Sequence, residues 1–413
     1  MSIIHSFRLG CGATLVVEPM SGVRSAAISW LVSAGAARDP AGKDGLSTIW
    51  SEMLLRGSHD LSSREQADAF DRLGAGRSAE SRTLTFRLGG LMLGERFSDV
   101  LPLLADMVVR PRFEEDALES SRDLALQALE SLKDDPQEKA SLLARSRHHA
   151  DPLSRSGMGT EQGLNAISLD DVRRIWPKVA TPAESIIGVA GNIDANHVRD
   201  RCEEVFRDWK GSCPEPAPGG PGIRGYAHET EETNQVQVIL LHDAPTEASP
   251  DSLLEKVIVS VLSGGMAGRL FSEVREKRGL CYSVNAGYAG DRDFGTVAAY
   301  VGTTPERAQE SLTVLRAELE RINTPDGKVT PEEFQRAIVG LKSSLVFSGE
   351  STGSRAAAVA GDVRRLGYPR TLEAMAAAVD ALTLERVNDY LARRTLGQLT
   401  IQTLGPAALT TTH

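Results

Sequence analysis

Long apolar stretches are missing from this sequence: no run approaches the roughly 18 residues that a membrane-crossing helix needs, so no transmembrane segment is expected. A basic surplus is missing too. Lys and Arg total 46 against 56 Asp and Glu, a formal net charge of −10, which argues against nucleic acid or an anionic membrane as the main partner. Cysteine is scarce, and Cys11, Cys202, Cys213 and Cys281 share no C-x-x-C spacing, so neither a zinc knuckle nor a disulfide framework is indicated. The opening Met1-Ser2-Ile3-Ile4-His5-Ser6-Phe7-Arg8 lacks a basic segment followed by an apolar one. A cytoplasmic location is therefore expected, or a periplasmic one for a chain from which a leader has been removed. Aromatic residues make up only 5%, so the core should be aliphatic. What remains is a soluble globular composition, 41% hydrophobic and 25% charged, in 413 residues, too many for one ordinary core.

The clearest break is Gly211-Ser212-Cys213-Pro214-Glu215-Pro216-Ala217-Pro218-Gly219-Gly220-Pro221-Gly222, where prolines and glycines exclude a helix or a central strand. The spacing predicts a first domain over 1–211, a linker over 212–224 and a second domain over 225–413. The two halves follow one plan. Each opens with strand-like alternation, at Thr14–Val17 and Ala26–Val32 and again at Val236–Leu241. A helix follows, over 45–55 in one half and over 253–278, with a glycine interruption, in the other. Strand regions come next, near 83–88 and 280–288. Long helices then open on Glu114-Glu115 and on Thr330-Pro331-Glu332-Glu333, the latter with an N-cap Thr and Pro at N1. Ser168-Leu169-Asp170-Asp171-Val172 is matched by Thr383-Leu384-Glu385-Arg386-Val387. The offset stays near 215–218 residues, which points to duplication. Strands grouped with helices, without strict βαβ alternation, predict an α+β fold. We expect two homologous α/β-roll domains, each an antiparallel sheet with helices packed on one face, arranged as a clamshell.

In Asp44-Gly45-Leu46-Ser47-Thr48-Ile49-Trp50-Ser51-Glu52-Met53-Leu54-Leu55-Arg56-Gly57, Leu46, Ile49, Trp50, Met53 and Leu54 recur at helical spacing. Thr48 and Glu52 lie one turn apart on another face, beside Ser51. The frame resembles that of the inverzincin metallopeptidases, the pitrilysin-like and mitochondrial-processing-peptidase-like family, in which such a helix carries H-x-x-E-H. In that family two His bind zinc and the Glu is the general base. The resemblance puts Thr48 and Glu52 at the His positions and Ser51 at the base position. It puts the third ligand near Gln127-Ala128, ahead of Asp134-Asp135-Pro136. None of these residues restores the set, so no metal is expected on this chain. His148-His149 with Asp151 is the densest other ligand group, and it lacks a second pair at metal spacing. Ser51 as a nucleophile lacks a G-x-S-x-G elbow.

The stretch Leu262-Ser263-Gly264-Gly265-Met266-Ala267-Gly268-Arg269-Leu270-Phe271-Ser272-Glu273-Val274-Arg275-Glu276-Lys277-Arg278-Gly279-Leu280-Cys281-Tyr282-Ser283-Val284 is very similar to the family's second-half signature. Gly279 suits a C′ position, ending a helix near Arg278 with Arg275 in its last turn. Beyond it, alternation predicts Leu280, Tyr282, Val284 and Tyr288 on one face of a strand. The reversal should bring the Arg275 guanidinium and the Tyr282 hydroxyl to one edge. The resemblance implies that Arg275 and Tyr282 act in trans on a substrate at zinc, and that Gly264, Gly265 and Gly268 form a substrate-binding turn. Taken singly, Arg275 is a helix-end charge and Tyr282 a half-buried strand aromatic. A phosphate-loop reading of the glycines lacks G-x-x-x-x-G-K-[ST]. Met266-Ala267-Gly268 departs from the family's Gly-x-Ser-Ser wording. The implied assembly is a heterodimer with a homologous subunit that bears H-x-x-E-H and holds the zinc, acting on a peptide substrate; a homodimer is the other assembly. A structural or peptide-binding protein of the same fold, like the core proteins of the respiratory cytochrome bc complex, is the alternative. A self-sufficient hydrolase with a relocated site is a third reading, and it predicts cleavage by the isolated chain.

Overall fold

β-Branched and aliphatic residues build the first sheet, whose central strands are buried along nearly their whole length. The computed structural model describes residues 3–216 and 219–411; Met1, Ser2, Thr412, His413 and the linker positions Ala217 and Pro218 fall outside the described residues. The strands in chain order are β1 (His5–Arg8), β2 (Thr14–Pro19), β3 (Ser25–Val32), the short ribbon β4 (Gly57–Ser58) and β5 (Leu61–Ser62), then β6 (Gly76–Ser81), β7 (Phe86–Leu93) and β8 (Ile186–Gly191). The second half contributes β9 (Gly225–Thr230), β10 (Val236–Ala244), β11 (Cys281–Gly290), β12 (Gly295–Thr303) and β13 (Thr400–Gly405). One sheet runs β1-β2-β8-β3-β7-β6 and the other β9-β13-β10-β12-β11. In each sheet all neighbours are antiparallel except one pair, β2 with β8 and β9 with β13. Those pairs occupy the same place in the two orders, so the repeat read from landmark spacing is a repeat of topology. The fold is α+β, with antiparallel-rich sheets and packed helices.

The expected strand near 83–88 is two strands, β6 and β7, joined by a turn that contains Thr83. Gly74 and Gly76 and the mixed run Arg77-Ser78-Ala79-Glu80 carry little apolar alternation, which hid the edge strand. The helix expected over 45–55 is Leu46–Met53. That expected over 253–278 stops at Ser263, crosses the glycine turn and resumes as a π-helical turn at Phe271–Glu276. Among the described residues no helix is long and apolar enough to cross a membrane.

Each sheet buries one face against its own half. Ala26, Ile28, Trp30 and Val32 of β3 join Leu46, Ile49, Trp50 and Met53 in one apolar cluster. Val236, Val238 and Leu240 of β10 join Val257, Ile258 and Val261 in another. Helices were expected on one face; the opposite face also carries a helix, and that helix comes from the other half of the sequence. Clustering divides the chain into one compact unit of 1–131, 151–220 and 347–373 and a second of 132–150, 221–346 and 374–413. In the first, the Thr352–Leu366 helix sets Ala356 against Ala27 and Ala190, and Ala360 against Leu31 and Ile186. In the second, the Pro136–His148 helix sets Ala140 and Ala144 against Ile239, Leu241, Tyr300 and Leu404. Alanine and glycine make this approach possible: a Cβ on Gly188 of β8 would lie 2.4 Å from the Ala356 carbonyl oxygen and 2.8 Å from the Ala360 Cβ.

The two exchanged helices are fastened by matching ion pairs. Arg355, the fourth residue of its helix, donates from Nε to Glu18 of β2 at 2.9 Å and lies 2.7 Å away through Nη2, with side-chain exposures of 1% and 2%. Lys139, the fourth residue of its own helix, pairs with Glu231 and lies 3.5 Å from Glu229 of β9. Glu18 and Glu229 are each the fifth residue of their strand.

Candidate functional site

In the first unit, the Leu46–Met53 helix is capped by Asp39, whose carboxylate accepts from Gly45 N (2.8 Å), Ser47 N (2.9 Å) and Ser47 Oγ (3.2 Å). Burial nonetheless pushes the Asp39 carboxyl up to about 7. Downstream of this cap the side chains at the metal positions are engaged with the protein itself. Thr48 donates its hydroxyl to the Gly157 carbonyl, and Ser51 donates to the Thr48 carbonyl at 2.7 Å. Glu52 faces Arg56 one turn on, at 3.9 Å. The Glu115–Ser131 helix packs against this helix, but Gln127 and Ala128 are exposed on it. Catalytic zinc needs three protein ligands of the His, Cys, Asp or Glu type together with an open position. One carboxylate among hydroxyls, an amide and a methyl does not fit that need. Among the described residues no group of three His, Cys, Asp or Glu is placed to hold a metal ion.

His148 and His149 serve packing in the second unit. His148 is buried, bonds Thr400 Oγ1 through Nδ1 at 2.9 Å and lies 3.4 Å from Asp243. His149 sits edge-on to His148 and to Phe294. Burial, assisted by the Arg224 guanidinium, lowers His148 to about 4.

The segment after the glycine turn is built differently. Gly265 has φ +105°, and Gly264 and Gly268 line a cleft of about 300 Å³ with Ser260, Arg336 and Ser344 between the Ser252–Ser263 and Pro331–Gly349 helices. Arg275 and Tyr282 are not among the cleft's lining residues. Phe271–Glu276 is a π-helical turn, with Lys277 N donating to Ser272 O at 3.0 Å. Gly279 then closes it at φ +60°, donating its N–H to the Arg275 carbonyl at 2.9 Å, as its C′ assignment requires.

The strand beyond departs from the predicted alternation. Register slips between Cys281 and Ser283, so Tyr282 is the extra residue of a β-bulge. Val284 packs on the core, whereas Tyr282 is 82% exposed. Tyr282 therefore does not share a face with Leu280, which is buried. The bulge leaves the Tyr282 ring beside Arg275, with the guanidinium carbon 5.3 Å from the ring centroid. The same carbon is 4.9 Å from the Phe271 ring, a partner that the residue pattern had not singled out although Phe271 and Arg275 stand four apart.

Charge in this segment is allotted unevenly. Arg269 is buried and forms a two-pronged pair with Glu333, 2.7 Å at each prong. Lys277 and Arg278 both bond Glu273, whose carboxyl they hold below its ordinary range. Among the described residues no carboxylate lies within ion-pair distance of Arg275. Burial raises the neighbouring Cys281 thiol, with Arg275 opposing the shift. A π-helical turn and a β-bulge are both costly irregularities that recur at functional sites. Here one holds the cation and the other holds the phenol that meets it.

Comparison with known proteins identifies the family of the chain. Residues 15–161 match the family model for insulinase (peptidase family M16), and residues 166–341 match that for the peptidase M16 inactive domain. An "uncharacterized zinc protease" of Bacillus subtilis is 28% identical over 385 residues, 91% of this chain and 92% of the relative. Another of that description from Streptomyces coelicolor is 26% identical, covering 96% of this chain and 88% of the relative. Among solved structures, the peptidase M16 inactive domain from Pseudomonas fluorescens superposes with a TM-score of 0.88 at 20% identity, covering 99% of each chain. A protease from Helicobacter pylori gives 0.86 at 17%, covering 98% of this chain and 100% of the other, and Complex III2 from Candida albicans gives 0.81 at 15%, covering 98% and 96%. With both halves matched and the topology repeated, the chain belongs to the M16 peptidase family.

Proposed function

We propose that this chain is the non-catalytic subunit of a heterodimeric zinc peptidase. In this reading a homologous subunit with an intact H-x-x-E-H motif holds the zinc, and this chain supplies Arg275 and Tyr282 to the peptide bound there. The observation that carries the reading is an asymmetry. The hydroxyls of Thr48 and Ser51 are closed onto backbone carbonyls, while Arg275 and Tyr282 stand exposed on two irregular backbone segments, with no carboxylate partner for Arg275 among the described residues. A guanidinium and a phenol so placed donate hydrogen bonds to the carbonyl oxygen of the peptide bond under attack as negative charge develops there. Each such donor is worth about 3–4 kcal/mol when aimed at that oxygen. The exposed Gly264 and Gly265, with the buried Gly268 behind them, supply a turn for peptide further along.

The test is reconstitution with the H-x-x-E-H homologue. We expect chelator-sensitive peptide cleavage only from the mixture, and kcat lowered on the order of 100-fold by Arg275→Ala and less by Tyr282→Phe. Unchanged kcat in both variants would remove their role, and stoichiometric zinc on this chain alone would overturn the assignment. The likeness to a chain of Complex III2 favours a second reading, a structural protein of the same fold. That reading expects a stable assembly with the homologue and no dependence of cleavage on Arg275.

A further inference from the structure

We propose that Phe271 is a positioning residue for Arg275: together with Tyr282 it holds the guanidinium by its flat faces, leaving the N–H edge of the group free to meet the carbonyl oxygen of the substrate. The inference rests on the reading of Arg275 given above and adds the device that makes that residue usable.

An exposed arginine side chain is rich in rotamers, and ordering one at the moment of binding costs affinity. Proteins commonly fix such a group with a carboxylate, as happens three times nearby, but a carboxylate consumes the donors that the substrate would need. Stacking on aromatic rings avoids that loss. The attraction acts through the face of the guanidinium, while its five N–H groups point outward in its plane. Two aromatic rings lie close to the Arg275 guanidinium. The guanidinium carbon lies 4.9 Å from the Phe271 centroid and 5.3 Å from that of Tyr282. The neighbouring cations Lys277 and Arg278 are bound to Glu273, and Arg269 to Glu333.

The backbone irregularities explain why both rings can reach one group. Phe271 opens the π-helical turn and Arg275 lies near its end, on the same side. Without the extra residue of the bulge, the strand pleat would leave no outward position for Tyr282 beside Val284. The turn between them is fastened from the next elements: Thr303 Oγ1 donates to the Leu280 carbonyl at 2.5 Å, and Ser311 Oγ to Thr303 Oγ1 at 3.1 Å. Phe271 itself carries no polar atom toward a substrate, so it acts through Arg275.

The test has two arms. In the full-length chain labelled with ¹⁵N-arginine, the Arg275 Nε–H resonance, assigned by its loss in Arg275→Lys, is expected at a ring-shifted position. It should move to the free-arginine position in Phe271→Leu and stay in place in Phe271→Tyr. In the complex with the H-x-x-E-H homologue, using a fluorogenic peptide, Phe271→Leu should lower kcat on the order of tenfold at unchanged KM and unchanged melting temperature. Phe271→Tyr should restore kcat, and Phe271→Leu should add nothing in an Arg275→Ala background. An unmoved resonance in Phe271→Leu, or an equal loss in the Arg275→Ala background, would overturn the inference. If Arg275→Ala leaves kcat untouched, the hydrolytic role of Arg275 fails, and the positioning by Phe271 is then decided by the resonance alone.

Discussion

At the scale of single residues, the second unit hides a buried charge network whose protonation the hydrogen bonds dictate. His242 donates from Nδ1 to the Asp243 carbonyl at 2.7 Å and accepts at Nε2 from Arg394 Nη2 at 3.2 Å. Arg394 is held by Glu255, which also accepts from the Tyr390 hydroxyl at 2.8 Å. A second proton on the imidazole would face a guanidinium, so burial and Arg394 together lower His242 to about 4. The unfolded imidazole titrates near 6.5. Below that value the unfolded chain binds the extra proton and the folded chain does not, so stability is present above about 6.5 and is lost as pH falls toward about 4. Chemical denaturation at several pH values should show this slope. Replacing His242 by Gln should reduce it by up to about one proton, ~1.4 kcal/mol per pH unit. An unchanged slope would mean that His242 is protonated in the fold.

Legibility at this scale was uneven for a physical reason. Arg275 and Tyr282 could be paired from the sequence because Gly279 announces the chain reversal between them. The bulge at Tyr282 could not, because one extra residue in a strand changes the facing of side chains without changing their chemistry. That Thr48, Ser51 and Glu52 do not make up a zinc-binding set was plain from residue type. That the Thr48 hydroxyl closes onto the carbonyl of Gly157, more than a hundred residues away, only the fold supplies.

At the scale of elements, the exchanged helices offer a comparison made within one chain. Arg355 with Glu18 is buried, whereas Lys139 with Glu231 keeps side-chain exposures of 26% and 22%. Glu18→Ala strands a guanidinium in the interior and should cost about 3–5 kcal/mol in a denaturant titration. Lys139→Ala removes a partly solvated pair and should cost no more than about 1 kcal/mol. Replacing Glu18 and Arg355 together by Leu and Met should recover most of the loss, since no unpaired charge is then left behind. Equal losses at the two sites would show that burial does not set the strength of these fastenings. Neither helix was read from the sequence, and neither was its destination, because the contacts join residues 140 and 144 to β10 and β13, and residues 356 and 360 to β3 and β8. Alanine rows say that something packs closely, not what.

For the molecule as a whole, the repeat was legible because landmark residues keep their spacing through both halves, and the matched strand orders follow from it. Where each half ends was not legible. The glycine and proline stretch marks a break in regular structure, while the compact units are assembled from three segments each. Fragments covering 1–216 and 219–413 should each be poorly soluble when expressed alone and should associate when expressed together. Separate, monomeric and cooperatively folding fragments would contradict that expectation.

That trade of helices also speaks to origin. A primitive polypeptide consisting of one repeat would have had a bare sheet surface and a spare helix. Two such molecules could satisfy each other by swapping, and joining their genes end to end would make the swap permanent. Each copy was thereafter free to drift in its chemistry, because neither could leave the other without exposing its sheet.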